Sequence, residues 1–145
     1  VLSILLLLHC SLLGQSYYFR RYQVENGLSH NSVICAMQDK RGFMWFGTKD
    51  GLNRFDGYRF KTYRGNSNPI HSLGSNYIQS LHENNGTIWV GTDKGLYHYD
   101  KKLDRFSILN EAINDRINDI NHDLKGNIWF ISGNILYKYA PKKKN

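Results

Sequence analysis

Residues 42–52 read G-F-M-W-F-G-T-K-D-G-L, and residues 86–96 read G-T-I-W-V-G-T-D-K-G-L. The two stretches are identical at six of eleven positions. A third stretch, residues 126–136, reads G-N-I-W-F-I-S-G-N-I-L and keeps the glycine, the tryptophan and the leucine. The tryptophans recur after 44 and then 40 residues, as Trp45, Trp89 and Trp129. Repeats of about 40–50 residues that consist of strand-like segments are typical of β-propeller blades.

Each repeat is predicted to hold four short antiparallel strands, because apolar or alternating segments are separated by turns rich in Asp and Gly. In the first repeat the strands are expected at Ile34–Met37, Phe43–Gly47, Leu52–Phe55 and Tyr58–Tyr63. In the second repeat they are expected at Ile78–Leu81, Thr87–Gly91, Leu96–Tyr99 and Arg105–Leu109. The third repeat runs out after Tyr139 and is predicted to lack a fourth strand.

The expected architecture is all-β, with about three four-stranded antiparallel blades that form an incomplete propeller after a signal peptide. The domain boundaries are a signal peptide at 1–16 and a partial propeller at 17–145, with an outer strand at 18–22 and blades at 33–63, 76–109 and 116–139, the last incomplete. Propellers have about 4–8 blades, so three blades do not close a ring. The chain is therefore expected to be a fragment or a part of an assembly.

The first sixteen residues have the pattern of a signal peptide. The apolar run Leu2–Leu13 has 12 residues, whereas a membrane-spanning helix needs about 20. Small residues at Gly14 and Ser16 fit a cleavage site before Tyr17. Export is therefore expected, with an uncleaved anchor, a buried core segment and a lipoprotein signal through Cys10 as the alternatives.

The composition is that of a globular β-protein, with 41% apolar, 21% charged and 14% aromatic residues. Two cysteines provide neither a disulfide framework nor a cysteine-based zinc site. The formal charge is +7, but the Lys and Arg residues are scattered apart from Lys142–Lys144, so nucleic acid is not expected as a partner. None of the six histidines has metal-ligand spacing, and His82 and His122 are expected to lie apart in separate blades. Neither a metal nor another cofactor is expected.

The repeat motif itself is interpreted as structural. The tryptophan lies in the middle of a predicted strand between apolar residues, which favours the blade core over sugar stacking. The Gly-Thr pair that follows is interpreted as a packing and turn feature. The motif positions are Trp45, Gly47, Thr48, Gly51, Leu52, Trp89, Gly91, Thr92, Gly95, Leu96 and Trp129. In the third repeat Ile131 and Ile135 replace the two motif glycines.

Candidate ligand-binding residues follow from strand direction. Because strands alternate, the loops before the first and the third strand of each blade emerge on one face, around the central channel. Polar residues of these loops are His30, Asn31, Lys49, Asp50, Asn76, Asp93 and Lys94. Amide and charged groups suit the recognition of hydroxyls, although the same residue types also fill ordinary solvated turns. The long connection 64–75 is either a functional insertion or a plain surface loop.

The repeat G-x-[IM]-W-x-G-T-x-x-G-L resembles the two-component regulator propeller repeat. Asn26–Val33 resembles the segment that leads into the first blade of that family, and Asp50–Gly57 is a further match. The resemblance implies a periplasmic sensor region of a hybrid two-component histidine kinase, with more blades of the same chain, a membrane helix and a kinase beyond this sequence. It implies an oligosaccharide or another small extracytoplasmic ligand and a homodimer in the full-length receptor. Kinase motifs are absent from this sequence, so no catalytic residue is expected.

Two other functions remain open from the sequence. Residues 126–130 also resemble a repeat of the streptogramin-lyase type of propeller enzyme, which would need a catalytic His and a metal-binding acid on the channel face. A third interpretation is a lectin-like binding propeller assembled from several short chains.

Overall fold

A computed structural model of the protein describes residues 17–65 and 72–141. The predicted signal peptide at 1–16 and part of the connection 64–75 lie outside the described residues. A short 3-10 helix at Val24–Asn26 precedes three antiparallel sheets.

Each sheet corresponds to one predicted blade, and its strands are hydrogen-bonded in chain order. Blade 1 consists of β1 (Val33–Gln38), β2 (Met44–Thr48), β3 (Gly51–Phe55) and β4 (Phe60–Tyr63). Blade 2 consists of β5 (Ile78–Asn84), β6 (Thr87–Thr92), β7 (Gly95–Asp100) and β8 (Arg105–Ile108). Blade 3 has three described strands, β9 (Ile117–His122), β10 (Ile128–Ser132) and β11 (Ile135–Tyr139). The predicted fold of antiparallel propeller blades is confirmed.

Most predicted strand bounds lie within one residue of those in the structure. The larger differences are the start of β4 and the end of β5, which extends to Asn84 rather than to Leu81. β4 begins at Phe60 rather than at Tyr58. The Asp56 carboxylate accepts the N–H groups of Tyr58 and Arg59 at 2.8 and 2.7 Å, which holds both residues in a turn. Residues 18–22 do not form a strand. An outer strand needs a sheet edge from the last blade of a ring, which is not among the described residues, so this strand stays a prediction.

The tryptophans of blades 1 and 2 lie between neighbouring blades. Trp45 is fully buried; its ring stacks on Tyr63 with centroids 5.8 Å apart and meets Tyr99 of blade 2 edge-on at 5.3 Å. Trp89 packs edge-on against Tyr139 of blade 3 at 5.8 Å. Trp129 is only half-buried. Each interface therefore depends on an indole from one blade and a tyrosine ring from the next.

The motif glycines Gly47 and Gly91 permit close approach of the next blade. A Cβ atom on Gly47 would lie 2.6 Å from Ile78 Cγ2, and one on Gly91 would lie 2.8 Å from Ile117 Cγ2. These distances are far shorter than the carbon–carbon contact of about 3.5–4.0 Å. In blade 3 the same position is Ile131, whose side chain is 37% exposed. The glycine is thus required where the first strand of a following blade packs closely.

The first hairpin is tied by a carboxylate in blades 1 and 3. Asp39 is buried and accepts the N–H groups of Arg41 and Phe43 and the indole N–H of Trp45, the last at 3.1 Å. Asp123 makes the same contact with the indole of Trp129 at 3.1 Å. Its bonds to Asn127 and to this indole lower the pKa of the Asp123 carboxyl well below its usual range. One side chain therefore fixes both the turn and the rotamer of the core tryptophan.

The hairpin of blade 2 is built differently. Glu83 has the same spacing to the glycine as Asp39, but Asn85 and Gly86, with φ of 49° and 75°, form a two-residue turn between paired strands. The Glu83 carboxylate accepts the N–H of Lys40 from blade 1 at 2.7 Å, and the indole N–H of Trp89 has no hydrogen-bond partner among the described residues. The longer acid therefore links two blades instead of closing its own turn.

In the third repeat, where Ile135 replaces the second motif glycine, a different residue of the hairpin adopts the left-handed backbone conformation. Gly51 and Gly95 have φ of 126° and 102°. In blade 3 the left-handed residue is Gly133, with φ of 57°, two positions before Ile135. The pairing Ser132↔Ile135 still corresponds to Thr48↔Gly51, so the hairpin length is unchanged.

A polar network joins the outer strands of blades 1 and 2. The Asp104 carboxylate accepts the hydroxyl of Tyr63 at 2.9 Å, accepts the hydroxyl of Tyr99 and pairs with Lys61. Partial burial raises the pKa of the Asp104 carboxyl, but these bonds outweigh burial and lower it to about 2. The carboxylate is thus stabilised in its charged form at the junction.

Replacing Asp104 by asparagine is expected to lower the free energy of unfolding by about 1 kcal/mol at pH 7, because the pair is partly exposed. The folded pKa lies below the ordinary value of about 3.9, so the contribution is complete above pH 4 and is lost as the pH falls towards 2. Urea unfolding between pH 7 and 3 measures this. A matched change, Asp93→Asn at an exposed hairpin tip where the side chain has no hydrogen bond or ion pair among the described residues, provides the control. An equal loss at pH 7 and 3 would contradict the charge-based explanation.

Candidate functional site

The two kinds of loop expected around the channel lie on one face. In each blade the hairpin between the second and third strands donates a backbone N–H to the segment before the first strand: Lys49 to Ser32, Asp93 to Tyr77 and Gly133 to Arg116, at 2.9–3.3 Å. Two of these hairpins also donate to the next blade, Gly51 to Asn76 at 2.7 Å and Gly95 to Asp115 at 3.1 Å. We call this end of the blades the channel face.

Asp50 and Asn76, two predicted site residues, meet at the junction of blades 1 and 2. The Asn76 amide donates to Asp50 Oδ1 at 3.1 Å, and its oxygen accepts the N–H of Gly65 at 2.8 Å. Arg64 pairs with Asp50 Oδ2 at 2.9 Å and with the Asp50 carbonyl at 3.1 Å. Sequence reasoning did not single out Arg64, because it lies in the long connection whose course is not readable from the pattern.

Two further predicted residues, His30 and Asn31, stabilise local turns. His30 Nδ1 accepts the N–H of Ser32 at 2.8 Å, and Asn31 Oδ1 accepts the N–H of Val24 at 3.0 Å. Among the described residues, neither side chain bonds to Asp50, Arg64 or Asn76. The neighbouring residue Ser29 does contact this junction, because its carbonyl accepts a hydrogen bond from Arg64 at 3.4 Å. The hydroxyl of Ser29 bonds Thr48 Oγ1 at 2.8 Å.

The remaining predicted residues are Lys49, Asp93 and Lys94. All three are exposed at hairpin tips. Their backbone N–H groups are hydrogen-bonded within the fold; the N–H of Lys94, for example, donates to Thr92 Oγ1 at 3.0 Å. Over residues 17–65 and 72–141, their side chains have no hydrogen bond or ion pair. These groups are therefore available to a ligand, whereas Asp50 and Asn76 already bond to each other.

Gln79 and Arg116 form a polar pair that the sequence analysis missed. Arg116 donates to Gln79 Oε1 at 3.0 Å, from the segment before β9 to β5. Gln79 occupies an irregularity in strand pairing between Ile78 and Ser80, where one extra residue is inserted. The sequence signal for this bulge is weak: the apolar residues Ile78 and Leu81 are three positions apart, where strict alternation in a strand would place them two or four apart.

The described ranges, 17–65 and 72–141, hold neither a cluster of metal ligands nor a membrane-spanning helix. No group of three or more His, Cys, Asp or Glu side chains there is arranged to hold a metal ion. In the same part of the chain, no helix has the length and hydropathy needed to cross a membrane.

The expectation that His82 and His122 lie apart is wrong, since their ring nitrogens are 2.8 Å apart. β5 and β9 are first strands of adjacent blades and pack side by side.

The family profile for the two component regulator propeller matches residues 27–50 and 72–94. The chain is 49% identical over 53 residues to Histidine kinase P4 of Formosa agariphila, which covers 37% of this chain and 4% of that protein. The match includes only a small part of the relative's length.

Solved structures show the same fold. A protein described as the extracellular domain of a hybrid two component system of B. thetaiotaomicron superposes with a TM-score of 0.67 at 31% identity, over 77% of this chain and 17% of that one. A second extracellular domain from B. thetaiotaomicron, described as part of a one component system, gives a TM-score of 0.68 at 24% identity, over 83% of this chain and 16% of that one. The W-x-G-T hairpins of the first two stacked antiparallel blades thus match the two-component regulator propeller repeat.

Proposed function

We propose that this chain is part of the extracytoplasmic sensor propeller of a two-component histidine kinase, located on the periplasmic side of the membrane, and that its channel face binds an oligosaccharide. The observation that supports the ligand site most directly is the set of unengaged charged side chains of Lys49, Asp93 and Lys94 beside the bonded Asp50–Asn76 junction. Ammonium and carboxylate groups donate to and accept from sugar hydroxyls.

Binding would act on the kinase through blade or subunit packing. A ligand shifts an equilibrium between two arrangements only if it binds one of them more tightly. Asp50, Arg64 and Asn76 join blades 1 and 2 at the channel face, so a ligand that contacts them would favour one relative position of these blades. A homodimer of the full-length receptor would carry that change across the membrane.

Further blades of the same protein are part of this proposal. An apolar pocket of about 380 Å³ lies on the face of blade 1 that points away from blade 2, here called the free face. Its lining includes Met44, Phe46, Phe55 and Phe60, and Tyr22 packs against the last two. Their repeat equivalents in blade 2, namely Ile88, Val90, Tyr99 and Phe106, are all buried against blade 1. The free face of blade 1 thus has the composition of a face that receives another blade.

The double variant Lys49→Ala with Lys94→Ala is expected to weaken oligosaccharide binding by about tenfold for each charge-assisted hydrogen bond that is lost. The measurement is calorimetry or an array with neutral and uronic-acid-containing oligosaccharides. The matched control, Lys40→Ala with Lys125→Ala, removes the same charge from hairpins at the opposite end of the blades. An equal loss in both double variants would indicate net charge rather than a site, and the absence of binding to every sugar would reject the proposed ligand class.

A further inference from the structure

An imidazole pair connects blades 2 and 3 at the end of the blades opposite the channel face. His82 lies on β5 and His122 on β9, with His82 Nε2 and His122 Nδ1 2.8 Å apart and ring centroids 5.0 Å apart. The centroid separation exceeds the nitrogen separation by about two ring radii, so both nitrogens lie between the rings and point at each other. This is the geometry of a hydrogen bond, whereas two ligands of one metal ion would converge on a third point.

We propose that His82 and His122 join blades 2 and 3 through a shared proton, which makes this junction sensitive to pH. When the pair is neutral, or carries one extra proton, one ring donates an N–H and the other offers a lone pair. When both rings are protonated, neither facing nitrogen accepts, and two positive charges lie at hydrogen-bond distance. Acidification therefore replaces an attraction between the blades by a repulsion.

The surroundings of the pair favour the neutral state of His82. Burial of His82 and the presence of His122 lower the pKa of His82 below its ordinary value, while Asp119 on β9 and Glu83 on β5 oppose this shift. Glu83 is itself paired with Lys101 at 3.9 Å. β6 places the uncharged Trp89 opposite His82 in the sheet.

The sign of the pH dependence follows from the lowered pKa of His82. Between the folded and unfolded pKa values the unfolded chain binds more protons, so stability rises with pH. The contribution is complete above the ordinary histidine pKa of about 6.5 and is lost as the pH falls through the folded value. His98 also has a pKa lowered by burial, so the test must observe the pair itself.

The test is an NMR titration of the His82 ring in the intact chain, with and without the change His122→Gln. Glutamine retains a neutral hydrogen-bonding group but does not acquire a charge. We expect the pKa of His82 to rise in this variant, because the repulsion by a protonated neighbour is gone. His30→Gln, at a histidine on the channel face, is the control and should leave the His82 titration unchanged.

Urea unfolding gives the second readout. The stability advantage of the wild type over His122→Gln should be present at pH 8 and should shrink or reverse at pH 5. An identical His82 pKa in both proteins, or a stability difference that does not vary with pH, would overturn the proposal. If His122→Gln does not fold, the reciprocal change His82→Gln decides the question through the pH dependence of its stability difference from the wild type.

Discussion

The change Trp45→Ala is expected to lower the free energy of unfolding by about 3–5 kcal/mol, the range for removing a large aromatic side chain from a packed core. Trp45 is fully buried between blades 1 and 2, where it contacts the rings of Tyr63 and Tyr99. Its removal also leaves the buried Asp39 carboxylate without the indole N–H. Urea unfolding followed by circular dichroism measures the change. Domains are stabilised by only about 5–15 kcal/mol, so this loss is a large fraction of the total.

The matched control is the same substitution at Trp129. This residue has the same position in its repeat and the same indole bond to an aspartate, at 3.1 Å from Asp123. It is half-buried, and Lys138 lies over its ring at 5.2 Å. The expected loss is about 1–2 kcal/mol, because less surface is removed from a packed environment. Equal losses at Trp45 and Trp129 would show that the indole stabilises its own hairpin rather than the interface between blades.

Much of the fold was predictable because the repeat carries its own structural chemistry. Thr48 illustrates this: its hydroxyl donates to the Gly51 carbonyl at 2.9 Å and accepts the N–H of Asp50 at 3.1 Å. Thr92 makes the equivalent bonds in blade 2. Local bonds of this kind are determined by residues within four positions of each other, so a short motif is sufficient to predict them.

Features that depend on the relative position of blades were not predictable. Ile78 lies 11 residues before Trp89, whereas Ile117 lies 12 residues before Trp129, although each is paired to the residue three positions after its tryptophan. The one-residue difference places His82 opposite Trp89 and His122 opposite Ile128. Both histidines lie seven residues before their tryptophans, so sequence spacing alone treats them as equivalent and does not reveal their contact. The same limit applies to Arg64 and Arg116, whose partners lie on other segments.

The change Gly47→Ala is expected to destabilise the protein by about 1–3 kcal/mol, the usual effect of inserting an atom into a filled core. The new Cβ would lie 2.5 Å from Cys35 Sγ and 2.6 Å from Ile78 Cγ2, so blade 2 must move away from blade 1. Urea unfolding measures the loss, with Ile131→Ala at the equivalent position of blade 3 as the control. The double variant Gly47→Ala with Ile78→Ala should lose less than the sum of the single changes, because removing Ile78 Cγ2 relieves part of the clash. Strict additivity would mean that the glycine serves the local strand and not the approach of the next blade.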